Sequence, residues 1–345
     1  MATPLLFTSL FVASIVGAGA VKMRAQYDSP PAAAAERALL LAGLNASHSD
    51  AYNVLLWDTD GANYLQMLEL AQAVQGTPLQ LWVTLIPPTE TTDGRCSHAA
   101  DSPLTPFNDS AYLNPARGPG GCNDYAGWSR LIAALAGVFP GVFYAVNVDD
   151  FSSNVGDAFA PATFRPPLVA AMKEALTAGG VKLIPTFYHD IGVLDSNAWL
   201  KNATDGVLFY FRNDLEGQAT CRTSCAAAPP ADCGVPCLWG QCAELSLGNL
   251  GVEVAAFASW LGDSPSRGEL HVGLYFSAYN HCAPGPSVLY DFTALVVALR
   301  LPVVRGATIY TYQPVPVPTA ADGGCAPGDE LRRKGCAVRY AFGAM

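Results

Sequence analysis

One α/β domain, a closed (β/α)8 TIM barrel spanning residues 1–345, is what the residue pattern of this chain predicts. Short β-branched and aromatic runs alternate with helical segments along its length, the mark of parallel strands joined by crossovers. Each run is apolar almost without interruption, so each strand is expected to be covered on both faces. Neither G-x-G-x-x-G nor G-x-x-x-x-G-K-S/T follows any run, which argues against an open nucleotide-binding sheet.

The elements follow in chain order. PLLFTSLFVAS (4–14) is taken as strand one, followed by a helix at 32–44. The longer stretch 4–20 also has the apolar, small-residue character of a signal peptide, but no Lys or Arg precedes it. YNVLLWD (52–58) and LQLWVTLI (79–86) give strands two and three, separated by a helix at 62–74. After a long Pro/Gly/Cys loop come a helix at 125–139 and strand four, VFYAVNVDD (142–150). Strands five to eight are expected at 182–189, 206–214, 271–280 and 307–315, with helices near 168–179, 196–203, 244–261 and 288–299 between them. The count of eight closes a barrel only if residues 4–14 supply a strand. Residues 316–345 are read as a C-terminal loop and tail.

Composition limits the partners. Hydrophobic residues make up 51% of the chain and charged ones 14%, enough apolar surface for a large core. The net charge of −10, with no basic stretch longer than Arg332-Arg333-Lys334, excludes a nucleic-acid partner. No segment is long and apolar enough to predict a membrane span. The ten cysteines fall outside the apolar runs, where they would staple the long loops after strands three, six and seven. Three glycosylation tripeptides start at Asn45, Asn108 and Asn202. Together these features predict an extracellular or luminal, disulfide-bonded glycoprotein. A zinc site in the 221–242 cysteine cluster fits the CxxxC spacings poorly.

Barrel chemistry sits at the C-terminal strand ends. Here those ends carry Asp58 and Asp60, then Asn147, Asp149 and Asp150, then Tyr188 and His189. They continue with Tyr210, Arg212 and Asp214, then Tyr279 and Asn280, and finally Tyr310 and Tyr312. No lysine ends a strand, which disfavours Schiff-base chemistry, and no HxH pair points to a binuclear metal site. Carboxylates, aromatic rings and amides suit a neutral carbohydrate, and no cofactor or metal is expected. Side chains alternate with period two, which puts Ala145, Asn147 and Asp149 toward the axis and Tyr144, Val146 and Val148 toward the helices. Asp150 then heads for the loop, where it would cap the turn at Ser152 and Ser153.

VNVDDF closing strand four, the aromatic strand ends and the Asp residues after strands four and six resemble a glycoside-hydrolase barrel. The placement is most similar to the retaining α-galactosidase-type group. That resemblance implies Asp149 as nucleophile and Asp214 as acid/base. Asp150 is a further catalytic candidate, and the remaining strand-end residues named above, with Asn147, are candidate substrate contacts. The residues also leave open a catalytically silent barrel that binds carbohydrate or protein through the same mouth. A metal-dependent hydrolase using Asp58, Asp149 and His189 has no ligand-spacing motif behind it.

Overall fold

The computed structural model describes residues 22–56, 62–85, 125–155, 164–188, 197–211, 239–262, 268–275, 288–310 and 330–343, the last three helices partly by backbone alone. Nine strand segments form one all-parallel sheet: β1 (Met23–Asp28), β2 (Ala51–Leu56), β3 (Gln80–Leu85), β4 (Phe143–Val148), β5 (Lys182–Leu183), β6 (Thr186–Phe187), β7 (Gly206–Phe211), β8 (Glu269–Tyr275) and β9 (Val304–Tyr310). The described helices are α1 (Ala34–Ala46), α2 (Ala62–Val74), α3 (Tyr125–Val138), α4 (Pro166–Ala178), α5 (Leu200–Ala203), α6 (Trp239–Leu261), α7 (Val288–Arg300) and α8 (Glu330–Gly343). The strand order runs β5-β4-β3-β2-β1-β9-β8-β7-β6.

The two ends of that order are halves of one stave. β5 and β6 are separated only by Ile184 and Pro185, and proline has no N–H to place in a ladder. The stave is bonded on both sides all the same. On the β4 side, Ile184 N–H donates to Val146 O at 2.9 Å. On the β7 side, Asp205 N–H donates to Leu183 O at 2.8 Å and Leu208 N–H to Pro185 O at 2.9 Å. The sheet therefore closes on itself, and its nine segments make the eight staves of a barrel.

The place expected for residues 4–14 is filled by β1, which pairs with β2 on one side and β9 on the other. MRAQYD is short and half polar, so an apolar-run criterion passes over it; residues 4–14 themselves lie outside the described residues. The expected C-terminal tail is likewise corrected, because Glu330–Gly343 is a helix. It buries Val338, Ala341 and Phe342 against the outer core. Arg24 fixes its last turn, donating to Phe342 O at 2.7 Å while its fork grips Asp50 at 2.7 and 2.8 Å.

Two cores follow from strands buried on both faces. Outside the barrel, Val54, Val83, Val146, Val148, Phe209 and Ile309 pack on the helices, each contributing about 1.5–3 kcal/mol by burial. Inside, Tyr27, Leu55, Trp82, Ala145, Ile184, Leu208 and Tyr210 fill the axis. Tyr144 departs from the alternation that puts it with the helices. The β3–β4 register shifts between Leu81 and Trp82, and Tyr144 joins the interior with its ring 5.6 Å from that of Trp82.

Glycine makes room for one of the large interior rings. A Cβ on Gly273 would lie 2.2 Å from the Tyr210 ring, which is itself buried. Gly273→Ala is therefore expected to destabilise the barrel by about 2–3 kcal/mol, measured as a lower urea midpoint with unchanged slope. An unchanged midpoint would show that the ring has another place to go.

Candidate active site

β4 delivers Asp149 to the C-terminal mouth. The ladder extends one bond past the strand, Asp149 N–H to Leu85 O at 3.0 Å, so the side-chain alternation holds through this residue. Asn147 lies one inward step below, fully buried. Its Oδ1 accepts from the Thr186 hydroxyl at 2.8 Å, its Nδ2 donates to Thr84 Oγ1 at 3.1 Å, and Thr84 donates to Asn53 Oδ1 at 2.5 Å. Asn147 thus belongs to a polar belt beneath the mouth, with both ends of its amide engaged, rather than to the surface a ligand would touch.

Among the described residues, three donors meet the Asp149 carboxyl. Oδ1 accepts from Tyr188 O–H at 2.8 Å and from the Asp150 N–H at 3.0 Å, and Oδ2 accepts from Tyr27 O–H at 3.1 Å. Both oxygens are therefore acceptors, the arrangement an ionised carboxylate satisfies fully. Burial, reinforced by the Asp149 charge, pushes the Tyr27 phenol far above its ordinary range, so it stays a donor. The same two causes, in the same order, act on Tyr210. The rings of Tyr27, Tyr188, Tyr210 and Tyr310 adjoin one another around this carboxylate, with neighbouring centroids 4.8–6.2 Å apart.

Asp150 takes left-handed backbone geometry, φ 45°, which Asp tolerates better than most residues. It precedes a short 3₁₀ turn, Phe151–Asn154, but its side chain makes no capping bond there, so the capping role expected for it is not found. The turn instead drives Phe151 into the outer core, where its ring lies 4.5 Å from Phe164 and 5.8 Å from Phe187.

Of the residues picked out in the sequence, Asp149, Tyr188, Tyr210 and Tyr310 come together, with Asn147 beneath them and Asp150 beside them. Asp58, Asp60, His189, Arg212, Asp214, Tyr279, Asn280 and Tyr312 lie outside the described residues. Tyr27 and Asp28 were missed because strand one was sought too early. The usable signal is alternation ending in an aromatic residue and Asp, Tyr27-Asp28, as at Trp57-Asp58, before a Ser-Pro-Pro turn.

Asp28 points away from the axis, on the side of Tyr52, whose hydroxyl donates to Ser29 O at 2.9 Å. Burial raises its carboxyl from 3.8 to about 6, partly opposed by the Ser29 N–H. The folded chain therefore binds this proton more tightly than the unfolded chain, and stability falls as pH rises from about 4 to about 6. Asp28→Asn should gain about 1–3 kcal/mol at pH 7 and nothing below pH ~4, by denaturant titration at the two pH values. A gain that is the same at both would contradict this.

Among the described residues, no group of three His, Cys, Asp or Glu side chains is arranged to hold a metal ion, and no helix is long and apolar enough to cross a membrane. Cys336 on α8 is the one cysteine with a described side chain, and it is disulfide-bonded.

No protein-family model matches the chain, and no curated protein matches it in sequence. Solved structures do. GH5_18 from Bifidobacterium longum subsp. longum, in complex with Manb1-4GlcNAc, superimposes with a TM-score of 0.53 at 10% identity, over 93% of this chain and 78% of that one. A glucosidase from Croceicoccus marinus gives 0.51 at 11% identity, over 94% and 68% of the two chains. The cellulose synthase subunit Z from Clostridioides difficile gives 0.51 at 8%, over 92% and 99%. The fold is a TIM-like barrel shared with glycoside hydrolases. At these identities the likeness concerns the fold.

Proposed function

We propose that this chain cleaves a glycosidic bond in a neutral carbohydrate by a retaining double displacement. The observation that carries the reading is the Asp149 carboxylate, held by two tyrosine hydroxyls inside a ring of aromatic side chains at the end of the fourth stave. In this reading one Asp149 oxygen attacks the anomeric carbon while Asp214, following β7, protonates the leaving oxygen. Asp214 then takes a proton from the water that releases the sugar. Tyr27 and Tyr188 keep the carboxylate ionised and aimed, and Tyr310, packed on the buried Tyr210 ring, offers aromatic surface to a sugar face. Asp58, Asp60, His189, Arg212, Tyr279, Asn280 and Tyr312 would complete the mouth. No cofactor takes part. Disulfides would staple the long loops after the third, sixth and seventh staves. Residues 4–20, with the apolar, small-residue character of a signal peptide, would serve export, in keeping with the three glycosylation tripeptides.

The test is a panel of aryl glycosides, run beside the corresponding 2-fluoro glycosyl fluorides with peptide mapping of any adduct. Aryl release with a covalent sugar on the Asp149 peptide is the expected result. Carbohydrate binding on a glycan array without turnover of any glycoside would replace the enzyme with a binding barrel. Neither binding nor turnover would remove both.

A further inference from the structure

Among the described residues, the buried polar atoms Asn53 Nδ2, Trp82 Nε1, His271 Nδ1 and Thr308 Oγ1 inside the barrel have no hydrogen-bond partner. All four residues are fully buried, and they come from β2, β3, β8 and β9. Asn53 and Trp82 are register partners on adjacent staves. The Trp82 and His271 rings lie 4.9 Å apart and nearly perpendicular, at 78°. His271 Nδ1 faces Gly306, where an added Cβ would come within 2.9 Å of it, and Thr308 is the next inward residue of the same strand. Trp82 and His271 therefore meet beneath the polar belt to which Asn53 belongs, with Thr308 one inward step above Gly306.

Their chemistry narrows what can satisfy them. His271 Nε2 faces the Glu269 carboxylate at 3.1 Å, so that nitrogen carries the proton and Nδ1 is an acceptor. Trp82 Nε1 and Asn53 Nδ2 only donate, and the Thr308 hydroxyl does either. This mixed, uncharged set has no carboxylate to ligate a cation and no cation to hold an anion. It matches a molecule that both donates and accepts. We propose that the lower barrel binds ordered water on these four groups, donating to His271 Nδ1 and accepting from Trp82 Nε1–H, with Asn53 and Thr308 as its upper partners. Four such groups left unsatisfied would together cost an amount comparable with the whole net stability of a typical domain.

The test needs no substrate. In the ¹⁵N-labelled full chain, with the indole resonance assigned through Trp82→Phe, Trp82 Hε1 should show NOE and ROE cross-peaks to water of opposite sign. A long-lived bound water gives that signature. Thr308→Val discriminates further. If water bonds the hydroxyl, the valine strands that water and Tm falls by about 2 °C or more. If the hydroxyl is simply unsatisfied, valine leaves Tm equal or higher. Absence of the cross-peak in the native chain overturns the proposal, and so does a Thr308→Val variant as stable as the native chain.

Discussion

Asp149→Asn should abolish turnover, lowering kcat by at least about 10³-fold, while Tm changes by no more than a few degrees. The substitution keeps the shape and one acceptor oxygen but removes the charge and half of the acceptor capacity. Tyr188 and Tyr27 hydroxyls both rotate, so one of them turns to accept from the new amide, and the geometry at 2.8 and 3.1 Å is preserved. What is lost is the atom that would bond the anomeric carbon and the charge that would face the developing oxocarbenium ion. Azide, supplied as an outside nucleophile, should restore activity to the Asn variant if Asp149 is the nucleophile. Native turnover in the variant would end the assignment. Lost turnover with lost folding would be separated from it by circular dichroism on the same sample.

Most of the barrel is legible from residue pattern because its staves are unusually plain. The runs at 79–86, 142–150 and 206–214 contain the observed β3, β4 and β7, and the run at 52–58 covers all of β2 but Ala51, since continuous β-branched and aromatic residues leave no competing reading. β1 and α8 fail the same test for opposite reasons. MRAQYD has only alternate apolar residues, and its polar Arg24 and Gln26 are consumed by partners distant in sequence, Asp50 and Phe342 for one, Ser47 and Ser49 for the other. ELRRKGCAVRYAFG opens with charges and a glycine, which hides the apolar stripe that the outer core covers. Tyr144 was misplaced because a register shift is a property of two strands together, and one strand's alternation does not contain it. At the mouth, parity favours Asp149 over Asp150 for the axis, and it is Asp149 that accepts from the Tyr27 and Tyr188 hydroxyls. Its closest tyrosine from the first stave was beyond reach of a reading that had put that stave elsewhere.

The barrel's opposite end sets the second large effect. Glu269 begins β8 and gathers Lys182 Nζ at 2.7 Å, His271 Nε2 at 3.1 Å and the hydroxyl of Tyr144, while Lys182 also lies 4.4 Å over the Tyr144 ring. Burial alone would raise this carboxyl, but hydrogen bonds from His271, Lys182 and Tyr144 outweigh it and hold the group at about 2. His271, kept neutral by its own burial, still donates through Nε2. A carboxyl lowered from 4.5 to about 2 contributes stability that is complete above about 4.5 and is lost as pH falls toward 2. Glu269→Gln should therefore destabilise the chain by about 2–3 kcal/mol at pH 7, the lower end being favoured because Lys182 is 34% exposed and partly rescued by solvent. The deficit should shrink steadily below pH ~4.5, so that the variant loses less stability on acidification than the native chain does. Urea titrations at pH 7, 5 and 3 measure this directly. A deficit independent of pH would mean that the site needs the second acceptor oxygen of Glu269 and not its charge. Because the cluster lies at the N-terminal end of the staves and Asp149 at the C-terminal end, the same variant should keep its activity wherever it remains folded, separating what holds the barrel from what its mouth does.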